Sequence, residues 1–378
     1  MVYGARMNRS QNWIVGGVVL VAAVLVVVVM LWPTDKSKLD SPAGDVVVEA
    51  NAELTVGRSL QMLRQRAKAM DAGEMPAAST SGQGAVFAQF GWGSGEGQLA
   101  HKRPDEANPE GPMSLAIDKR GNVMVLDQVN DRLVKLDKSG KVVGSTPLTV
   151  QGAQDITVAA DGTTLVMDRI IDKSIAVIGP DGKQVGELPI EGKNLEEGGA
   201  ATGVFTDGED VYVEREHGDL VKVGTTSGKA DTNREEVPGR PSRDGSAYLT
   251  AGISVPGEDR LYVGAIDKAS RQQRFQREYR LGSAVLGLML LDTDASGIIY
   301  VAALTTVAVA GKSAEDARPM VLLLCLDPLD GRPLGRAELP ANMHADETFR
   351  ELVVTDEGGV LYLYRSDEHA QLQKYDCR

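Results

Sequence analysis

The sequence predicts an all-β fold, a six-bladed β-propeller preceded by one transmembrane helix and a short amphipathic stalk helix. Three observations carry this: an uncharged apolar run near the N-terminus, a text of short strands and Asp/Gly turns that returns at one blade length, and a composition of 42% hydrophobic but only 4% aromatic residues. Such a composition leaves the core to Val, Leu, Ile and Ala, and the β-branched members favour strands. With 378 residues there is room for one large domain or two ordinary ones, so the repeats decide.

The apolar run is WIVGGVVLVAAVLVVVVMLW, residues 13–32. At about 1.5 Å per residue it spans a hydrocarbon core of about 30 Å. Trp13 and Trp32 suit the two interfaces, and Pro33 discourages the helix from continuing. Arg6 and Arg9 before the run are matched by Lys36 and Lys38 after it, but the leading tail has no acid and carries the α-amino charge, which favours an N-terminus inside. The run exceeds the roughly 7–15 residues of a signal-peptide core, no small-x-small site follows cleanly, and no cysteine follows to take a lipid. The expectation is a signal-anchor in a bacterial inner (plasma) membrane: residues 1–12 cytoplasmic, 13–32 spanning, and the remainder periplasmic or extracellular.

Residues 33–84 read as a linker, with loop-like Pro, Gly, Ser and charge at 33–45 and 73–84. Between them a helix is expected over about residues 50–71, where Val56, Leu60, Leu63, Ala67 and Met70 form one apolar stripe. Two heptads are too few for a coiled coil, so it reads as a stalk helix.

The repeats occupy residues 85–378. PMSLAIDKRGNVMVLDQVNDRLVKLDKSGKVVGSTPL (112–148) divides into four strands, Met113–Ile117, Val123–Leu126, Arg132–Leu136 and Val142–Leu148. The text returns as DITVAADGTTLVMDRIIDKSIAVIGPDGKQVGELPI, with Gly162 standing 41 residues after Gly121 and Gly182 standing 42 after Gly140. Weaker copies place a third blade over Val204–Lys229, a fourth from Ile253–Gly257, a fifth from Leu288 and a sixth from Leu352. A blade cannot cover both of its apolar faces alone, so blades pack around an axis until the ring closes. Because the last copy holds only three strands, Ala85–Phe90 is expected to supply its fourth.

FGWGSGEGQL (Phe90–Leu99) and GNVMVLDQVNDRLVKLDKSGK (Gly121–Lys141) resemble the NHL-repeat β-propellers. The likeness is strong in blade one, fair in blade two and thin afterwards, and blade four departs because no clear outer strand separates Arg271–Leu281 from Val285–Leu291. It implies a six-bladed ring. Some propellers of this kind are lyases or lactonases holding an axial metal, so catalysis has to be weighed.

The residues do not favour it. His101, His217, His344 and His369 share no register, whereas metal ligands must converge within about 2.0–2.2 Å of one ion. No nucleophile elbow, zinc-binding HExxH or phosphate loop occurs, so no catalytic, cofactor or metal residue is assigned. The recurring Asp127 and Asp168 read as acceptors of backbone N–H groups in turns. A net charge of −13 opposes a wide nucleic-acid surface.

What remains is a binding module, with a protein partner in the cell envelope. Its candidate contact is the basic series Arg271, Arg274, Arg277 and Arg280 with Phe275 and Tyr279, and a second is the long insertion Ala303–Pro319 of blade five. The alternatives are a metal-dependent hydrolase or lyase and a small-ligand or glycan sensor. Matching Asp327 of LLCLD with Asp376 of QKYDC offsets Cys325 from Cys377 by three residues, about 10 Å of strand, beyond the roughly 7 Å Cα limit of a disulfide. Two free thiols are therefore expected.

Overall fold

The computed structural model describes residues 75–307, 317–342, 344 and 346–378. The expected transmembrane helix at 13–32 and stalk helix at about 50–71 lie outside the described residues. Among the described residues no helix is long and apolar enough to cross a membrane.

Three strands precede the first full blade: β1 (Ala78–Ser81), β2 (Ala85–Trp92) and β3 (Gln98–Leu99). Blade one is β4 (Ser114–Ile117), β5 (Val123–Asp127), β6 (Arg132–Leu136) and β7 (Val142–Pro147). Blade two is β8 (Asp155–Val158), β9 (Thr164–Asp168), β10 (Ser174–Ile178) and β11 (Gln184–Pro189), and blade three is β12 (Ala201–Asp207), β13 (Asp210–Arg215), β14 (Leu220–Thr225) and β15 (Glu236–Val237). Blade four is β16 (Arg240–Pro241), β17 (Ala247–Ile253), β18 (Arg260–Asp267) and β19 (Gln273–Arg280). Blade five is β20 (Val285–Thr293), β21 (Ile299–Val307), β22 (Arg318–Leu326) and β23 (Pro333–Pro340), and blade six begins with β24 (Leu352–Val354), β25 (Val360–Arg365) and β26 (His369–Tyr375). Each blade is an antiparallel meander, and together they make a six-bladed all-β propeller.

The ring closes where the sequence places the closure. Strand β2 pairs antiparallel with β26, from Ala85 opposite Lys374 to Gly91 opposite His369, and supplies the fourth strand of blade six. Strand β3 then adds to β2 in parallel as a fifth. Part of the stretch read as loop, 73–84, is also strand: β1 pairs in parallel with β23 at the outer edge of blade five. Its residues ASTS are short and polar and give no alternating apolar signal to read.

Blade four corrects the sequence reading. Ile253 ends the second strand, β17, while the inner strand is the two-residue β16, and the basic segment is the outer strand β19. A two-residue inner strand containing Pro241 has no period to detect, which shifted the expected start of the blade by one strand.

Six buried apolar clusters lie between neighbouring blades. Among the described residues five contain ten or more buried residues each, but the seam between blades three and four has four, Tyr212, Leu220, Val237 and Tyr248, with Phe205 and Ile266 partly buried against them. Charged contacts supplement this poorer seam: Lys268 pairs with Asp207, and the Arg271 guanidinium lies 4.9 Å from the centre of the Tyr248 ring.

The cysteines overturn the expectation of free thiols. Cys325 and Cys377 are joined in a disulfide with Cα atoms 5.9 Å apart. The strand overlay failed because Cys377 lies beyond Tyr375, the last residue of β26, where strand rise no longer fixes its position.

Candidate functional site

A cavity of about 550 Å³ runs along the ring axis and is lined by residues from all six blades. The inner strands converge there because each blade's first strand is its innermost, so their side chains meet at the centre. The lining combines apolar groups such as Ile117, Phe205 and Leu290 with Asp155, Arg240 and Arg350.

The charged groups are committed to one another. Asp155 of blade two is fully buried and accepts bonds from Ser114 Oγ at 2.6 Å, Arg350 Nη2 at 2.7 Å and the Val204 N–H at 2.9 Å. Arg350, just before blade six, also donates to the Val204 carbonyl, so one guanidinium ties three blades. Arg240 grips buried Glu214 through Nε–Oε1 at 2.6 Å and Nη2–Oε2 at 3.0 Å, and reaches the Leu291 carbonyl at 3.1 Å. Arg243 spans Asp292 at 2.6 Å and Asp356 at 2.9 Å. Both Arg240 and Arg350 lie over Phe205, 4.8 and 5.0 Å from its ring centre. These arginines fasten blades across the axis by charge-assisted bonds.

Burial alone would push the Glu214 carboxyl up, but Arg240, with His217 and Thr202, holds it at about 2 against an ordinary 4.5. Because the folded-state value is depressed, the stabilisation is fully present above pH 4.5 and is lost as pH falls towards 2. It amounts to about 3 kcal/mol. Unfolding of Glu214→Gln followed against pH should show a destabilisation at pH 6 that disappears near pH 2; a gap constant with pH counts against this linkage.

The candidate contact residues are separated by the fold. Phe275 and Tyr279 face inward from β19 and are buried in the core between blades four and five, where the Tyr279 hydroxyl donates to the Gly331 carbonyl at 2.5 Å. Their side chains therefore brace the seam and form no surface. Arg274 is held by Asp267 at 2.9 Å, Arg277 is half-buried, and Arg271 and Arg280 are exposed. In the insertion Ala303–Pro319, the ends are strand: β21 and β22 pair out to Val307 opposite Arg318, and residues 308–316 lie outside the described residues.

Asp168 accepts the N–H groups of Ile170, Ile171 and Asp172, as a turn acid does. Asp127 acts differently. It accepts from the Ala100 N–H and from Arg132 Nε, and Arg132 in turn donates to the carbonyls of Ser94, Gly95 and Gln98, which clamps the glycine-rich connection onto blade one. His101 stacks on Trp92 with ring centres 4.3 Å apart, and burial together with nearby Arg103 pushes its pKa down. His217 lies 3.6 Å from Glu214, and His344 pairs with Asp367 at 2.6 Å.

The axial residues escaped the sequence reading because they come from single blades. One signal was present: Asp155 stands 41 residues after Ser114, a charge where the neighbouring copy has a small hydroxyl, and the two side chains meet.

No family model and no curated protein matches the chain. It is similar to several solved structures. Hydrazine synthase of Kuenenia stuttgartiensis shows 16% identity over 70% of this chain and 78% of that one, at a TM-score of 0.45. Virginiamycin B lyase of Staphylococcus aureus shows 10% identity over 73% and 99%, at 0.37, and BamB of Moraxella catarrhalis 12% over 70% and 86%, at 0.34. At these values the likenesses carry no functional argument, and the fold rests on the strand pairings themselves.

Proposed function

We propose that this chain is a membrane-anchored, extracytoplasmic propeller of the NHL-like kind that serves as a protein–protein interaction or scaffolding module of a cell-envelope assembly. The observation that carries the reading is the use of the axial charges. Asp155, Glu214, Asp292 and Asp356 are each held by an arginine that ties blades together, so these carboxylates are engaged in structure rather than set free as acid, base or metal ligand. A ring fastened at its centre is a rigid platform, and its rim is left to make contacts.

The uncharged run at 13–32 supports the anchor, and a disulfide supports an oxidising compartment, since such bonds are rare where thiols are kept reduced. On the rim, the exposed Arg271 and Arg280 of the blade-four edge offer an acidic partner a contact without disturbing the core. A second reading, a small-ligand sensor, is favoured by the 550 Å³ axial cavity.

Crosslinking in intact membranes, followed by mild-detergent purification and mass spectrometry, tests the proposal. A reproducible envelope protein should be recovered with the wild-type chain and at least threefold less with Arg280→Glu, which lies clear of the seam and whose melting should be unchanged. Equal recovery with both chains removes the arginine edge from the contact, and no specific protein with either removes the scaffolding role.

A further inference from the structure

Neighbouring blades meet through a repeated contact: the turn between the third and fourth strands of one blade sits against the outer strand of the blade before it. The Gly140 turn of blade one abuts the Phe87 backbone of β2, and the Gly228 turn of blade three lies so close to Gly186 of β11 that a Cβ there would come within 2.9 Å of its Cα. The Gly331 turn of blade five packs on Phe275 and Tyr279 of β19 in the same way. Blade six cannot make this contact with a turn. Its third strand, β26, is followed in the sheet by β2, which precedes blade one in chain order, so no turn joins β26 to β2.

The residues after β26 occupy that place. The Cys377 carbonyl lies directly against Gly335 of β23, leaving no room for a Cβ. On the outside, Ser79 of β1 donates to the carbonyls of both Arg336 and Asp376, at 3.0 and 3.1 Å. Asp376 and Cys377 are thus held between β1 and blade five, and the Cys325 sulfur, in the core of blade five, is bonded to Cys377.

We infer that the Cys325–Cys377 disulfide is the covalent substitute for the missing turn, and that it makes firm closure of the ring conditional on oxidation. Hydrogen bonds join β2 to β26 and Ser79 holds the Asp376 carbonyl, but among the described residues the disulfide is the covalent link between blade five and the segment after β26. Its formation removes two protons and two electrons from the two thiols. The electrons pass to the disulfide of a thiol–disulfide oxidoreductase, which leaves as the dithiol. Both sulfurs are fully buried in the finished ring, so the exchange precedes closure, and the bond afterwards is out of reach of reductants. This holds whichever partner the rim carries.

The full-length chain tests it through thiol counting, melting and hydrogen exchange, comparing oxidised protein with chain unfolded and refolded under reductant and with Cys325→Ser, Cys377→Ser and Cys325→Ala/Cys377→Ala. The oxidised chain should show no free thiol when denatured without reductant, and loss of the bond should lower melting by about 10 °C. Exchange should rise first, by tenfold or more, in residues 78–92, 333–340 and 369–378, with blades two and three unchanged. The double alanine variant keeps both side chains small and apolar, so the same pattern there assigns the effect to the lost bond rather than to a buried hydroxyl. Two free thiols in the oxidised chain, or an even rise in exchange across all six blades, overturns the inference.

Discussion

Deletion of residues 81–91 is expected to remove roughly 5 kcal/mol or more, the whole stability margin of an ordinary domain. Within this segment Ala88 and Phe90 are buried in the cluster between blades six and one, alongside Leu115, Val134 and Leu372. Losing them empties one face of that seam, and truncating a buried Phe alone costs about 3–5 kcal/mol. The deletion also strips β26 of its outer partner, leaving only β25, and exposes a hydrogen-bonding edge. Phe90→Ala, melted in parallel, should retain the ring and lose only about 3–5 kcal/mol. A deletion chain that melts with the wild type would mean that closure does not depend on β2.

That closure was legible because it follows from counting. Three strands in the last copy and one unassigned apolar segment before the first leave one arrangement without an open edge. Blades one and two were legible for a related reason: their turns are built on Asp and Gly at a constant spacing, and Asp118, Asp137 and Asp161 accept backbone N–H groups just beyond themselves. The signal failed where local pattern and tertiary placement part. The inner strand β16 is two residues long, β1 is a run of small polar residues, and Cys377 is positioned by the strands that grip it rather than by a strand of its own.

The candidate contact residues show the same division. On β19 Phe275 and Tyr279 stand four residues apart and so share one face, the face that lies in the core; Arg277 between them has the same parity and is half-buried, while Arg274 and Arg280 have the other. Read as a cluster, the six residues suggested a surface. Read with period two, Phe275, Arg277 and Tyr279 fall on the core side of the strand and Arg274 and Arg280 on the other.

The axial fastening predicts the second large effect. Arg350→Met should destabilise the ring by about 3–5 kcal/mol, because removing one partner of a buried ion pair leaves the other charge without compensation. Asp155 would keep its bonds from Ser114 and the Val204 N–H, which satisfy lone pairs but supply no positive charge. The methionine retains most of the side-chain length against Phe205, so little of the loss comes from a cavity. The reverse change, Asp155→Asn, leaves a guanidinium with a neutral acceptor and should cost less, since the Arg350 side chain is about one-fifth exposed and water reaches it. Combining Asp155→Asn with Arg350→Met should recover part of the loss, because an amide and a thioether can share the site without a net charge. Chemical unfolding of the four chains gives the coupling directly, and a value above about 1 kcal/mol is expected for groups 2.7 Å apart. Additive losses would show that water already screens Asp155 in the axial cavity, and that this pair does not fasten the blades.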